Sequence, residues 1–246
     1  MSFEKILITA PTSAAKAYCL EDWLDNELKT VYPNFMIGLF DNTLDNGESA
    51  AYQNNYYKKK YGGDQFLCLR SDVTGCDGVI SRICKSHNDC RDYALENKYD
   101  AIWHLETDVF PKPHFLQELV LNKKPVCGGL YYRDEGRFRR LMIQQRVYRS
   151  PHNIFSKNAT PEEDLYFIDG TLKTASHIGL GCVLIRSTVL KKIPFRYVPG
   201  LPAHTDSYWA EDCFKHKIKI WADTNLICEH RNSNWLIDIY SNTNKA

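Results

Sequence analysis

The stretch Ala101-Ile102-Trp103-His104-Leu105-Glu106-Thr107-Asp108-Val109-Phe110-Pro111 constrains the fold more than any other part of the chain. Five mostly apolar residues run straight into two carboxylates one residue apart. An apolar run of this length reads as a buried strand. The sequence Pro111-Lys112-Pro113 cannot continue a hydrogen-bonded ladder, so the strand stops at the acids. Glu106 and Asp108 therefore sit at the carboxyl end of a core strand, where open α/β sheets place their ligands. Oxygens so placed can converge on a hard divalent cation, and the cation can hold a diphosphate. The competing reading is two solvated acids at a strand end.

What precedes this stretch alternates strand and helix. Lys5 to Ala10 is a short apolar run, followed by Pro11-Thr12-Ser13 as a turn and helix cap. Residues 14–28 carry apolar side chains at helical spacing, and Phe35 to Phe40 forms a second strand ending at Asp41-Asn42. Strand, helix, strand with short joints implies a parallel sheet. Asp41 is a second acid at a strand's carboxyl end; it either contacts a sugar hydroxyl or base, or opens a turn. The segment 42–63 is polar and rich in Tyr and Lys, a surface helix or loop. Phe66 to Leu69 reads as a third strand, and 79–96 as a helix leading into Ala101.

Beyond Pro113 the pattern is less regular. Phe115 to Leu121 is a short helix, and Pro125 to Tyr132 a strand interrupted by Gly128-Gly129, a sign of a bulge or close approach. Residues 131–149 hold six Arg against Asp134 and Glu135. This basic block is either a solvated hairpin or a surface facing phosphates or an acceptor. Residues 153–164 read as a polar loop and Tyr166 to Gly170 as a strand and turn. Gly179-Leu180-Gly181 feeds a buried strand to Arg186. A helix opens at Thr205-Asp206 and runs to about His216, and a strand covers Ile218 to Asp223. Cys228-Glu229-His230 closes the folded part.

The chain of 246 residues is 43% apolar and 25% charged with a net charge of +1, so global charge selects no partner. Nine scattered Cys contain no Cys-x-x-Cys pair and fit reduced core residues. No stretch is long and apolar enough to span a membrane, and the start shows no signal-peptide pattern. These features imply a cytoplasmic protein. The expected organisation is one domain over 1–240, with a nucleotide-binding half at 1–110, an acceptor half at 111–240 and a polar tail at 241–246.

With these motifs in place, the chain resembles a GT-A fold glycosyltransferase, closest in pattern to the family 2-like enzymes. Glu106-Thr107-Asp108 is similar to that family's metal-binding Asp-x-Asp motif, and Gly179-Leu180-Gly181-Cys182 resembles its Gly-rich turn before the acceptor-side strand. His87 stands where such enzymes often carry an Arg. The resemblance implies a GT-A-like α/β fold with a mostly parallel central sheet flanked by helices. It implies a metal-dependent, inverting transfer of a sugar from a nucleotide-diphosphate donor, a UDP-sugar first, to an acceptor hydroxyl. Asp41, Glu106 and Asp108 would contact the donor, Asp108 and His230 would bind Mn²⁺ or Mg²⁺, and Asp206 would be the base. Asp206, Trp209, Cys213 and Ile220-Trp221 match the family's spacing around that base. Glu211-Asp212 is the other acidic pair in range, and Asp206 as a simple helix cap is the bland alternative. The acceptor is a saccharide or another hydroxyl compound. Small transferases of this kind occur in phages, which adds a hydroxymethylated DNA base, and hence a nucleic-acid partner in the host cytoplasm. A sugar nucleotidyltransferase and a non-catalytic nucleotide-sugar-binding module share these features. The loop Ala10-Pro11-Thr12-Ser13-Ala14 has neither Gly nor a base, which counts against the nucleotidyltransferase.

Overall fold

The computed structural model describes residues 3–61, 63, 65–134, 139–150, 153–158, 167–201 and 203–231, the backbone alone over 145–150 and 153–158. The first half alternates as the sequence predicts: β1 (Ile6–Thr12), α1 (Ala17–Glu27), β2 (Phe35–Asp41), α2 (Glu48–Tyr61), β3 (Phe66–Arg70), α3 (Val79–Glu96) and β4 (Ala101–Leu105). Crossover helices return the chain in one direction, and β1 pairs in parallel with both β2 and β4, and β2 with β3. Strand β1 runs two residues past the expected turn. Beyond Thr9↔His104 it pairs only with β2, so the missing N–H of Pro11 leaves no ladder bond unmade.

The second half contains β5 (Val109–Phe110), α4 (Phe115–Leu121), β6 (Val126–Asp134), β7 (Arg139–Leu141), β8 (Ile143–Ser150), β9 (Asn153–Asn158), β10 (Leu172–Ala175), β11 (His177–Ile178), β12 (Cys182–Arg186), α5 (Ser187–Leu190), α6 (Thr205–Lys215) and β13 (Ile220–His230). The main sheet has the order β10-β13-β6-β12-β4-β1-β2-β3. The parallel arrangement covers β4-β1-β2-β3. The rest is mixed, because β12 runs antiparallel to both β4 and β6 while β13 is parallel to β6. A second small sheet, β11-β8-β9, is antiparallel. The reversed β12 matters for the site: it starts where β4 finishes, with Cys182 opposite Leu105, and alongside the middle of β6.

Side chains alternate across the sheet and supply two cores. One face packs Ile6, Ile8, Trp103, Leu105 and Leu184 against Leu20, Trp23 and Leu24 of α1 and Phe115 and Leu119 of α4. The other packs Leu7, Ile102, Val183 and Ile185 against Cys84 and Ala94 of α3 and Trp209 and Cys213 of α6. All nine cysteines are free and eight are buried, seven of them within these two cores. Among the described residues, no helix is long and apolar enough to cross a membrane.

Two expectations fail locally. Residues 153–158 form a strand, not a loop, because hairpin pairing with β8 satisfies their backbone without an apolar pattern. Phe167 and Ile168 are not in a strand, although the turn expected after them is present: Asp169 Oδ1 accepts the Thr171 N–H at 3.1 Å and Gly170 has φ +78°. Tyr166 and the tail 241–246 lie outside the described residues.

Candidate active site

The strand β4 ends where the sequence indicates, and three elements pin the turn that follows it. The Glu106 N–H donates to Gly181 O at 3.1 Å and the Val109 N–H to Glu106 O at 2.9 Å. The Arg231 N–H donates to Asp108 O at 2.8 Å, and the Cys19 thiol of α1 to Thr107 O at 3.1 Å. Strand β13 changes register against β6, with residues 223–226 set against the single Gly129, and then pairs with β5 so that His230 faces Val109. That bulge carries His230 to the acids. Ligand atoms of Glu106, Asp108 and His230 all lie within 4.8 Å of one another.

The chemistry of this triad fits a divalent cation. His230 Nδ1 lies 2.9 Å from the Tyr132 carbonyl, which can only accept, so Nδ1 carries the hydrogen. The lone pair of the neutral ring is then on Nε2, 3.6 Å from Asp108 Oδ2. Asp108 Oδ1 is buried with no hydrogen-bond partner. Two carboxylates and one imidazole are a donor set for Mn²⁺ or Mg²⁺. Lys16, from the turn Ala14–Lys16 before α1, forms an ion pair with Asp108 Oδ2. Burial pushes the Asp108 carboxyl up, but His230 and Lys16 outweigh it and bring it to about 2. Glu106 moves the other way, raised by burial and by the Asp108 charge.

Tyr131 closes the floor beneath these acids. Its ring meets His230 edge-on at 5.1 Å, and the Gly181 N–H donates to its hydroxyl at 3.0 Å. A Cβ at Gly181 would stand 2.5 Å from Tyr131 Cζ, which explains the glycine in this turn. The Gly-rich turn therefore admits an aromatic ring rather than a ligand.

The second acidic centre is Asp206, the second residue of α6. His204 holds the N-cap position, so Asp206 is not the cap. Its Oδ1 accepts the Ser207 N–H at 2.7 Å, and its Oδ2 lies 3.2 Å from His177 Nε2. Burial pushes this carboxyl up, and His177, His204 and the Ser207 N–H together hold it below the usual range. Asp206 is close enough to contribute to the raised pKa of both Glu106 and Tyr131. The two acidic centres thus share one field. A cavity of about 150 Å³ opens at Asp206, lined also by Arg133, Arg140, His177 and His204.

Asp41, by contrast, is buried at the end of β2, where its oxygens accept from Thr43 N at 2.8 Å and Gln53 Nε2 at 2.9 Å. The register Thr12↔Asp41 sets it on the same sheet edge as Glu106 and Asp108. Glu211 and Asp212 belong to a surface network with Arg196 and Lys215. His87 does not face the triad. Its Nδ1 lies 2.8 Å from His104 Nε2, and His104 Nδ1 lies 2.5 Å from the Leu180 carbonyl. That carbonyl accepts, so His104 Nδ1 and then His87 Nδ1 are the donors of a buried neutral chain.

The basic block is split by the strand period. Arg139 lines a cavity of about 480 Å³ bordered by Tyr18, Asp22, His230 and Arg231, while Arg140 lines the smaller cavity at Asp206. Arg137 lies outside the described residues. Sequence reasoning missed Lys16, His177 and Tyr131. Lys16 and His177 sit in segments of three and two residues, too short for any periodic signal.

No family model matches the chain, and a search of curated proteins finds no match in sequence. Solved structures do match. GalNAc-T7 with UDP, GalNAc and Mn²⁺ aligns with TM-score 0.60 at 12% identity, over 93% of this chain and 44% of that one. The mannosyltransferase PcManGT from Pyrobaculum calidifontis, in complex with GDP-Man and Mn²⁺, aligns with TM-score 0.61 at 14% identity, over 94% and 57%. S. aureus TarS in complex with UDP-GlcNAc aligns with TM-score 0.56 at 14% identity, over 92% and 59%. This chain spans about half the length of these proteins. Its fold is the GT-A fold of these glycosyltransferases.

Proposed function

We propose that the chain is a metal-dependent glycosyltransferase that moves a sugar from a nucleotide-diphosphate donor, a UDP-sugar first, to an acceptor hydroxyl with inversion. The observation that carries this reading is the pair of linked acidic centres. Glu106, Asp108 and His230 converge within 4.8 Å at one sheet edge, and Asp206 stands apart with His177 at its side. Mn²⁺ or Mg²⁺, held by Asp108 and His230 with Glu106 beside them, would supply Lewis-acid stabilisation of the leaving diphosphate. Asp41, on the same edge, would contact the nucleotide. Lys16 brings an ammonium to the place where diphosphate charge develops. Asp206 would take the acceptor's proton, with His177 stabilising and orienting its carboxylate. The acceptor hydroxyl belongs to a saccharide or to a hydroxymethylated DNA base. Nine free thiols support a reducing compartment, the cytoplasm, as the place of action, the host's if a phage encodes the chain.

One alternative draws on a specific residue. Lys16 follows the first strand, where a sugar nucleotidyltransferase needs a base against phosphate. The product separates the two, free nucleoside diphosphate for the transferase and pyrophosphate for the alternative.

The test is a thermal-shift panel of UDP- and GDP-sugars with and without Mn²⁺. At least one nucleotide sugar should stabilise the protein only when Mn²⁺ is present, and Asp108→Ala should lose that shift while keeping its own cooperative melt. A full Mn²⁺-dependent shift in Asp108→Ala would sink the metal assignment.

A further inference from the structure

The cavity beside Asp206 is lined by two arginines and two histidines as well as by the acid. Arg133 and Arg140 are directly opposed in the β6–β7 pair, so both project to one face, and both line the cavity. Each guanidinium carries five N–H donors in a planar fork, the geometry that suits phosphate oxygens. The third wall is His177. It is only 6% exposed, it lines the cavity, and its Nδ1 has no hydrogen-bond partner. A buried imidazole nitrogen without a partner carries a desolvation cost that a ligand can relieve. His204 and the first turn of the eleven-residue helix α6 form the fourth wall and add the positive end of a helix dipole.

We infer that this cavity receives a phosphate group of the acceptor, set beside the hydroxyl that Asp206 deprotonates; the acceptor is a sugar phosphate. The inference rests on the transferase reading above. Volume favours it over a nucleic acid. At about 150 Å³ the cavity is well below the ~300 Å³ at which sites for drug-sized ligands begin, so it has room for one phosphate and the neighbouring hydroxyl but not for a base as well. Arg139, one residue away on the same strand, faces the other cavity and adds nothing here. The basic block therefore acts as a point contact on one anion.

Calorimetric or thermal-shift titration of the full chain with ribose 5-phosphate, ribose and a 12-base DNA strand tests this. Ribose 5-phosphate should bind and ribose should not. Arg140→Gln should weaken ribose 5-phosphate about tenfold or more, the scale of one lost charge-assisted hydrogen bond. Arg140→Lys should recover part of the loss, and Arg139→Gln should leave this affinity unchanged. The inference is overturned if ribose 5-phosphate and ribose behave alike, if Arg139→Gln costs as much as Arg140→Gln, or if only the DNA strand binds. Binding of UDP with Mn²⁺, measured in parallel on the same variants, reports the donor reading separately. Should UDP binding fail while the phosphate site holds, the transferase reading falls by itself. Should the reverse occur, the acceptor class falls by itself.

Discussion

Asp108 and Asp206 are both acids held below the ordinary carboxylate range against the pull of burial, but different partners hold them. Asp108 is 2% exposed and faces a lysine ammonium and a histidine. Asp206 keeps 20% of its side chain exposed and faces imidazoles and a backbone N–H. A carboxylate crowded by fixed cations is well placed to stay ionised and hold a metal, and poorly placed to take up a proton. A carboxylate open to a cavity and backed by an imidazole can accept a proton and pass on the charge. On the transferase reading proposed above, one fold would therefore provide a static anion and a working base at two ends of the same field.

The largest effect expected from breaking this contrast is at Asp206. Asp206→Asn should keep UDP and Mn²⁺ binding and lower turnover by about a hundredfold or more, the usual scale of general-base loss. His177→Gln should lower turnover less and move the acid limb of the pH profile upward. The sign follows from Asp206: His177 helps to keep that carboxyl low, so removing it raises the pH at which the base is protonated. Steady-state rates against pH, with one working donor and acceptor, read both. A wild-type pH profile in His177→Gln would reduce His177 to packing.

Next in size is an acid effect on stability from the histidine chain. Burial first, and then neighbouring His104, hold His87 well below its ordinary value, and burial lowers His104 to about 4. The folded state keeps these rings neutral while the unfolded chain protonates them below about pH 6.5. Stability is therefore fully present above that pH and falls as pH drops toward 4, at about 1.4 kcal/mol per pH unit for each ring. Urea midpoints from pH 7 to 4 should show this slope, and His87→Asn, whose amide can still donate to His104, should remove about half of it. A flat wild-type curve would mean that the rings are not buried neutral.

Opposite signs are expected at the proposed metal site itself. His230→Ala should weaken Mn²⁺ about ten- to a hundredfold, the cost of disturbing a metal site. Lys16→Met should tighten Mn²⁺ about tenfold, since it removes a cation competing for Asp108, a difference of roughly 1.4 kcal/mol. The same change should loosen UDP, whose diphosphate loses an ammonium. Calorimetric titration of the two variants reads both directions. Equal Mn²⁺ affinity in Lys16→Met and wild type would mean that Lys16 swings away at no cost.

How much of this was legible depended on chain geometry. The strand ending at Glu106 and Asp108 could be read because an apolar run and two prolines bracket it. The four parallel strands could be read because each is a short apolar run beside a helical period. His230 was reachable only through its place after the last strand, since the bulge at 223–226 that delivers it leaves no sequence pattern. Lys16 and His177 meet the acids through tertiary pairing across more than 28 residues, which no local signal reports. The hairpin β8–β9 was hidden by polar composition, because backbone pairing alone holds it.

The smallest effect concerns the competing acidic pair. Asp212 lies six residues beyond Asp206 on α6, roughly 9 Å along the axis at about 1.5 Å per residue. Its oxygens accept from Arg196 Nε at 2.5 Å and from Arg196 Nη2 at 3.0 Å. Arg196 also reaches Glu211 at 2.8 Å, and Lys215 reaches Glu211 at 2.9 Å. Arg196 is 35% exposed and Lys215 56%, so water and salt screen these pairs. Pairs of this kind are worth about 1 kcal/mol or less each. Neither acid lines the cavity at Asp206, so neither is within hydrogen-bond reach of a hydroxyl placed there. Asp212→Asn should therefore leave turnover within about threefold of wild type, far short of the hundredfold scale of base loss. Its stability should fall by about 1 kcal/mol at most. The comparison with Asp206→Asn under one donor and acceptor pair decides the assignment. If Asp212→Asn is inactive and Asp206→Asn is near wild type, the base belongs to the Glu211-Asp212 pair, and the contrast between the two aspartates is drawn at the wrong residue.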